Sequence, residues 1–343
     1  MKLLSIVVPC YNSAAYMDRC IKSLMPDTDD VEIIIVDDGS FKDDTPQKAD
    51  ALAQKYPGII RAVHQENKGH GGAVNTGIAN AEGLFLKVVD SDDRLNRKAY
   101  LRLLRELRRR AASEDVPDIV FTNFVYDKQG ARHKRVVQYR GRLPQNQIFS
   151  WDRFPWMPTW EYVLMHAVTY RTQILRDSGM VLPEHTFYVD NIFAFSPYPF
   201  AKKLLYLDLD LYRYFIGRGD QSVNESVMIS RMDQQMRVNR IMFSDLSARD
   251  HVQTDFPKGC RRYMFHYLSI ITMVSSVLCV VSGTPEHLAQ KDQLWTWMKE
   301  TDPALAAQLR TSLACLFVNL PGKAGRWFVK TGYRIARKFV GFN

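Results

Sequence analysis

The chain has 343 residues, 46% of them apolar and 12% aromatic, enough for one large domain with an appendage or for two domains. Its formal net charge is +9, and residues 303–343 hold seven Lys or Arg and no acid, so the basicity gathers in a tail able to address nucleic acid, an anionic membrane or nothing. Five widely spread cysteines form no CxxC pair and no metal-ligand spacing, and no signal peptide is visible, which together fit a reducing cytoplasm.

Residues 3–8 form a short apolar run and predict a buried parallel strand. It ends in Pro9-Cys10-Tyr11-Asn12. A Tyr just past a strand can stack on a nucleobase and an Asn can hydrogen-bond it, although an ordinary strand-to-helix turn has the same composition. A helix over 14–25 follows. The second strand, 31–36, ends in Asp37-Asp38-Gly39-Ser40. An acid here can accept from a ribose hydroxyl or a base N–H, and Gly lets the backbone turn sharply.

After a helix over 45–56, the third strand, 59–64, leads to Asn67-Lys68-Gly69-His70-Gly71-Gly72 and on to Ala73-Val74-Asn75-Thr76-Gly77. This glycine-rich connection predicts backbone N–H groups and the start of a helix over 72–81 turned towards a phosphate. It is neither a dinucleotide fingerprint nor a Walker A loop. His70 reads equally as a phosphate contact or as an exposed loop histidine. The fourth strand, 84–89, ends in Asp90-Ser91-Asp92-Asp93. Carboxylates at the C-terminal edge of a strand suit Mg²⁺ or Mn²⁺, and those ions suit diphosphates; a solvated acidic turn is the plain alternative.

A helix over 97–110 and a strand over 119–124 continue the alternation. It predicts an α/β fold, a mostly parallel sheet flanked by helices, with its ligand site at the strand C-termini. Residues 130–158 read as irregular, 204–215 as a strand, and everything beyond about 227 as helical. A boundary near Ser226 would separate residues 1–226, the nucleotide-binding part, from residues 227–343, a helical region with a basic tail.

Taken together, the four strand ends resemble those of the family 2 glycosyltransferases, which have the GT-A fold. That family carries a P-x-Y-N-type end, V-D-D-G-S, N-x-G-x-x-x-A-x-N-x-G and D-x-D; here these fall at residues 9–12, 36–40, 67–77 and 90–92. The resemblance covers roughly residues 1–225. It implies that Pro9, Tyr11 and Asp38 hold a uracil-like base and ribose, with Asn12, Asn67, Gly69 and Asn75 beside the nucleotide. Asp90 would contact the ribose or sugar side, and Asp92 would bind Mg²⁺ or Mn²⁺ bridging the diphosphate.

An inverting transfer needs a general base for the acceptor hydroxyl. The resemblance points to Asp190 in Tyr188-Val189-Asp190-Asn191-Ile192-Phe193, although Val189 stands where the family's E-D-x-x-F/W has Glu; a helix N-cap is the other role for Asp190. The stretch 217–222 resembles the family's mobile loop over the diphosphate, with Arg218 as phosphate ligand. Trp156, Trp160 and His166 lie between the D-x-D and the base and are acceptor candidates, against the ordinary reading of Trp as core.

The uncharged segment 264–285 is apolar enough to raise a membrane span. It also carries Ser269, Thr272, Ser275, Ser276 and Ser282, which favours a buried helix. Over 326–340, Phe328, Val329, Ile335, Ala336, Phe339 and Val340 fall on one helical arc, and Arg326, Lys330, Arg334, Arg337 and Lys338 on the other, with Trp327 out of place. That is the pattern of a helix lying on an anionic membrane, and an ordinary helix docked on its domain with a solvated basic face gives it too. The Q-x-x-R-W motif of processive members is absent; Lys323-Ala324-Gly325-Arg326-Trp327 stands instead.

The expectation is therefore a metal-dependent, inverting enzyme moving one sugar from a nucleotide sugar, a UDP-sugar by preference, to a lipid-linked or surface-polysaccharide acceptor. It would be cytoplasmic and peripheral at the inner face of the cell membrane, without nucleic acid as partner. A sugar-1-phosphate nucleotidyltransferase would want a Gly-rich, Arg-containing loop after the first strand, where Pro9-Cys10-Tyr11-Asn12 stands. A binding scaffold without turnover would be expected to have lost acids among Asp38, Asp90, Asp92 and Asp190, and all are present.

Overall fold

A computed structural model describes residues 2–128, 130, 134–217, 224–252 and 256–340, with the side chains of 252 and 338–340 outside that description. The chain forms two compact units. One comprises residues 1–155 and 163–216, the other residues 156–162 and 217–343.

The first unit is built on a ten-stranded sheet. Its strands are β1 (Leu4–Cys10), β2 (Val31–Asp38), β3 (Ile60–Gln65), β4 (Phe85–Val88), β5 (Arg94–Leu95), β6 (Ile119–Lys128), β7 (Arg135–Val137), β8 (Ile148–Phe149), β9 (Val168–Arg171) and β10 (Leu204–Ile216). β1 and β2 are buried at every position, as befits parallel strands covered on both faces. They pair in parallel from Leu4↔Val31 to Cys10↔Asp37, and β1 pairs on its other side with β4 from Leu4↔Phe85 to Val7↔Val88.

The strand order is β3-β2-β1-β4-β9-β6-β10-β5. The chain thus steps outward from β1 in one direction and then resumes at β4 in the other. A crevice beyond the strand C-termini is expected at such a reversal. Helices α1 (Ala14–Leu24), α2 (Thr45–Lys55), α3 (Gly69–Asn80) and α4 (Arg97–Ala111) make the crossovers, with α5 (Thr172–Asp177) and α6 (Asp190–Phe193) later in the chain. α3 begins at Gly69, earlier than expected. Gly69 sits at φ +74°, a left-handed conformation that turns the chain into the helix directly. The 130–158 stretch holds the short strands β7 and β8, which pair antiparallel with β6 and β10.

The second unit is helical: α7 (Glu225–Ser230), α8 (Met232–Val252), α9 (Lys258–Ser282), α10 (Pro285–Thr301), α11 (Pro303–Thr311) and α12 (Gly322–Val340). Among the described residues α9 is the one helix long and apolar enough to cross a membrane, and 67% of its apolar window is buried within the protein. Its hydroxyl groups have partners on neighbouring helices. Gln235 donates to Ser275 Oγ at 3.1 Å, Asn239 to Thr272 Oγ1 at 3.0 Å and the Trp295 indole to Ser276 Oγ at 3.2 Å. α9 is thus the polar-stitched core of this unit. All five cysteines are buried and free.

Candidate functional site

The site is assembled at the C-terminal end of β4. Asp90-Ser91-Asp92-Asp93 closes as a turn in which the Asp93 N–H donates to the Asp90 carbonyl at 2.9 Å. Asp90 and Asp92 stay partly open while Asp93 is buried. β10 braces the turn from behind. The Tyr212 hydroxyl donates to Asp93 Oδ2 at 2.6 Å and accepts from the Asp90 N–H at 3.1 Å, and the Phe215 N–H donates to Asp93 Oδ1 at 2.6 Å. Burial and the neighbouring Asp92 and Asp90 charges push the Asp93 carboxyl well above its ordinary range. Asp93 is therefore a structural strut of the turn, and Asp90 and Asp92 are the acids it presents.

His70, in the first turn of α3, reaches Asp90 Oδ1 with Nε2 at 2.8 Å. Burial opposes its protonation, but Asp90, with help from Asp190 and Asp92, overrides that and raises it. In return, His70 counteracts burial at Asp90 and draws that carboxyl below the usual range. His70 is thus a helix residue, half-buried and paired with Asp90, rather than a residue of an exposed loop.

His166 lies on the other side of the turn, 5% exposed and boxed by aromatic rings. Its ring centroid is 4.6 Å from that of Tyr212, 4.3 Å from Tyr214 and 5.7 Å from Phe124. Burial lowers it to about 4, so the ring is neutral near pH 7. Neither ring nitrogen has a hydrogen-bond partner among the described residues, yet one lies within 4.8 Å of carboxylate oxygens of both Asp90 and Asp93. A neutral, buried, unpartnered imidazole facing carboxylates is a ligand set for a divalent cation. The residues present therefore fit the Mg²⁺ or Mn²⁺ expected from the D-x-D: Asp90, Asp93 and His166 are the groups that lie close enough together to hold it, with the expected ligand Asp92 beside them in the turn. Beneath them, the fully buried Lys87 donates to the carbonyls of His166 at 2.8 Å and Val168 at 3.1 Å, and burial brings it down to about 7.

Asp190 opens α6 as its first helical residue rather than its N-cap, which is Val189. Tyr188, two residues before it, sits at φ +66°, a strained conformation for a bulky residue. Burial above all pushes the Asp190 carboxyl up to about 6, His70 opposing and Asp90 reinforcing the shift. Val189 is 1% exposed, so the position where the family has Glu points into the core and supplies no second acid.

The nucleotide side is mixed. Tyr11 is exposed, and its ring lies 6.4 Å from that of the still more exposed Phe41, which sequence reasoning had not singled out. The two ring planes are tilted by 56°, so each exposed ring offers a separate face. Asp38 is buried, with Oδ1 accepting from the Lys68 N–H at 2.8 Å and from Gln65 at 2.6 Å.

Four other expected contacts have structural duties instead. Pro9 is buried inside β1, opposite Val36, with no face for a ligand. Asn12 accepts from the N–H groups of Phe41 and Lys42 at 3.1 and 2.9 Å and shapes the 40–42 loop. Asn67 donates to the Asp38 carbonyl at 2.9 Å. Asn75 grips the Leu182 backbone with both ends of its amide, at 2.8 and 3.0 Å.

The glycines of this stretch also answer close packing rather than a phosphate. A Cβ on Gly71 would meet the Pro183 carbonyl oxygen at 2.6 Å, and one on Gly77 would meet Val7 Cγ1 at 2.1 Å. Gly69 packs against the backbone of His185. Arg218 lies outside the described residues. Trp156 and Trp160 are exposed members of the second unit, Trp156 under the Arg262 guanidinium at 5.2 Å, whereas His166 belongs to the first unit.

Residues 5–167 match the model of glycosyl transferase family 2. The chain is 31% identical over 224 residues to EpsJ of Bacillus subtilis, described as an uncharacterized glycosyltransferase, across 62% of this chain and 60% of that protein. It is 28% identical to the putative glycosyltransferase EpsH of the same organism with the same coverage, so it spans about 60% of the length of these curated relatives. Among solved structures, residues 1–349 of S. aureus TarS superpose with a TM-score of 0.69 at 20% identity, over 98% of this chain and 92% of that one. The same protein in complex with UDP-GlcNAc gives a TM-score of 0.67 at 21% identity, with the same coverage. These likenesses show the fold: a GT-A-type mixed sheet flanked by helices and followed by a helical region.

Proposed function

We propose, from the match of residues 5–167 to the model of glycosyl transferase family 2, that the chain transfers one sugar from a nucleotide sugar to a lipid-linked or surface-polysaccharide acceptor, with inversion at the anomeric carbon. The observation that carries this reading is the convergence of Asp90, His70, His166 and Asp190 on the β4 turn, each drawn from a different element.

In this reading one exposed ring, Tyr11 or Phe41, stacks on the base and the Asp38 region receives the ribose. Asp92, with Asp90 and His166, holds Mg²⁺ or Mn²⁺. A cation held there would supply the positive charge that a departing diphosphate calls for. Asp190 takes the proton of the acceptor hydroxyl as its oxygen bonds to the anomeric carbon and the nucleoside diphosphate departs. A carboxyl near 6 is well suited to this: ionised at neutral pH, yet more basic than an ordinary aspartate. No covalent enzyme intermediate is needed. Trp156 and Trp160 remain acceptor candidates and Arg218 a phosphate ligand. The likeness to the UDP-GlcNAc complex of TarS makes UDP-GlcNAc the first donor to test, and a cytoplasmic, membrane-peripheral site of action suits a lipid-linked acceptor.

Calorimetric titration of UDP with and without Mn²⁺ tests the reading. Binding should require the cation and vanish in Asp92→Ala, with the fold retained. Equal affinity in the variant, or affinity indifferent to Mn²⁺, would overturn it.

A further inference from the structure

The inference rests on the membrane association proposed above and names the face responsible. α12 docks through only part of its expected apolar arc. Val329 is buried, and four residues on the Tyr333 hydroxyl donates to Glu225 at 2.6 Å; one turn earlier Gly325 packs against the incoming chain, where a Cβ would strike the Leu320 carbonyl oxygen at 2.4 Å. Phe328 and Ile335, from the expected apolar arc, are therefore left in solvent, as is Trp327, 68% exposed.

The segment between α11 and α12 repeats the pattern. Leu313 is 71% exposed, and Leu316, Phe317 and Leu320 are exposed as well. The Phe317 and Phe328 rings, 5.6 Å apart, join the two segments into one surface. An exposed apolar cluster of this kind marks an interaction site. Lys323 and Arg334 are exposed on the same helix, Arg337 is paired with Glu225 at 2.9 Å, and residues 303–343 contain no acid. Apolar side chains beside exposed cations complement an anionic bilayer, where the first enter the acyl boundary and the second meet phosphates.

We propose that the 312–320 segment and the outer side of α12 form a single face that inserts into an anionic phospholipid bilayer, with Leu313, Leu316 and Phe317 as well as Trp327 below the headgroups. The helix is then the shoulder of the anchor and the segment before it is the tip.

Flotation of the full-length protein with phosphatidylglycerol-containing and pure phosphatidylcholine vesicles, at low and high salt, gives the test. Binding should favour the anionic vesicles and be only partly lost at high salt, because the apolar part is insensitive to screening. Leu316→Glu with Phe317→Glu should weaken partitioning at least about tenfold, since each such side chain removed from water is worth roughly that factor. The native cysteines are buried, so a fluorophore on Leu313→Cys reports its own depth and should shift to the blue on anionic vesicles. Undiminished flotation of the double variant, an unshifted fluorophore, or self-association in place of vesicle binding would overturn the proposal. UDP affinity measured in parallel separates the two readings: lost flotation with intact UDP binding removes only this face, and the reverse removes only the transfer reaction.

Discussion

Replacing Asp190 with Asn should make the protein more stable and less active at once. The carboxyl is raised from an ordinary 3.8 to about 6, mainly by burial. Because the folded state binds this proton more tightly than the unfolded chain, stability present below the unfolded value is lost as pH rises from about 4 through about 6. Above that window the native carboxylate is carried at a cost. Two pKa units at 1.36 kcal/mol each set a ceiling of about 3 kcal/mol, and the solvent that reaches the partly buried group reduces this to about 2 kcal/mol. Asn keeps the shape and never ionises, so Asp190→Asn should raise the stability by about 2 kcal/mol at pH 7.5 and by almost nothing at pH 4. Turnover should fall about 10²–10⁴-fold, the usual worth of a general base. Wild-type turnover should fall tenfold per pH unit below about 6 and level off above. Denaturant melts at the two pH values and release of UDP from UDP-GlcNAc, with water as surrogate acceptor, supply the readouts. A variant whose gain in stability over wild type is no larger at pH 7.5 than at pH 4, or one that turns over like wild type, would refute the reasoning.

Other expectations come from the same geometry. Tyr212→Phe removes the donor to buried Asp93 and the acceptor of the Asp90 N–H. It should cost about 1–3 kcal/mol in a thermal melt and weaken Mn²⁺-dependent UDP binding by loosening the turn. Gly77→Ala places a Cβ 2.1 Å from Val7 Cγ1, between a helix and a strand that cannot separate easily. A loss of about 1–3 kcal/mol should follow, with much of it recovered by adding Val7→Ala; a double variant no better than the single would show that the contact is not the cause.

The parallel core was legible in the sequence because buried parallel strands are continuous Val and Ile runs, and 3–8 and 31–36 are such runs. β9 was not legible. It is short, follows an irregular stretch, and is defined only by pairing antiparallel with both β4 and β6. At the site, Asp90 and Asp190 are acids at turn positions and stand out in the sequence. Asp93, Tyr212 and Lys87 do not, since their roles exist only once β10 and the 165–168 segment lie against β4. The glycines of 67–77 were visible, but their reason was not: the neighbours that exclude a Cβ include Leu182, Pro183 and His185, more than a hundred residues away. Asn75 was misread for the same cause. Phe41 carried a local signal, an aromatic directly after Asp38-Gly39-Ser40, and that signal was overlooked.

β5 is two residues long, directly follows the acidic turn, and is held in the sheet by Tyr212 and Arg213 of β10. During synthesis, the ribosome therefore releases Asp90 and Asp92 well before the strand that fixes them. At roughly 5–20 residues per second the interval is on the order of ten seconds, through which the nascent chain has the acids of the site without their arrangement. A chain broken off before β10 would have most of the family's sequence signature and none of the bracing. Such fragments should be inert towards donor sugars in the cell, so that premature termination yields debris rather than an enzyme hydrolysing its donor without an acceptor.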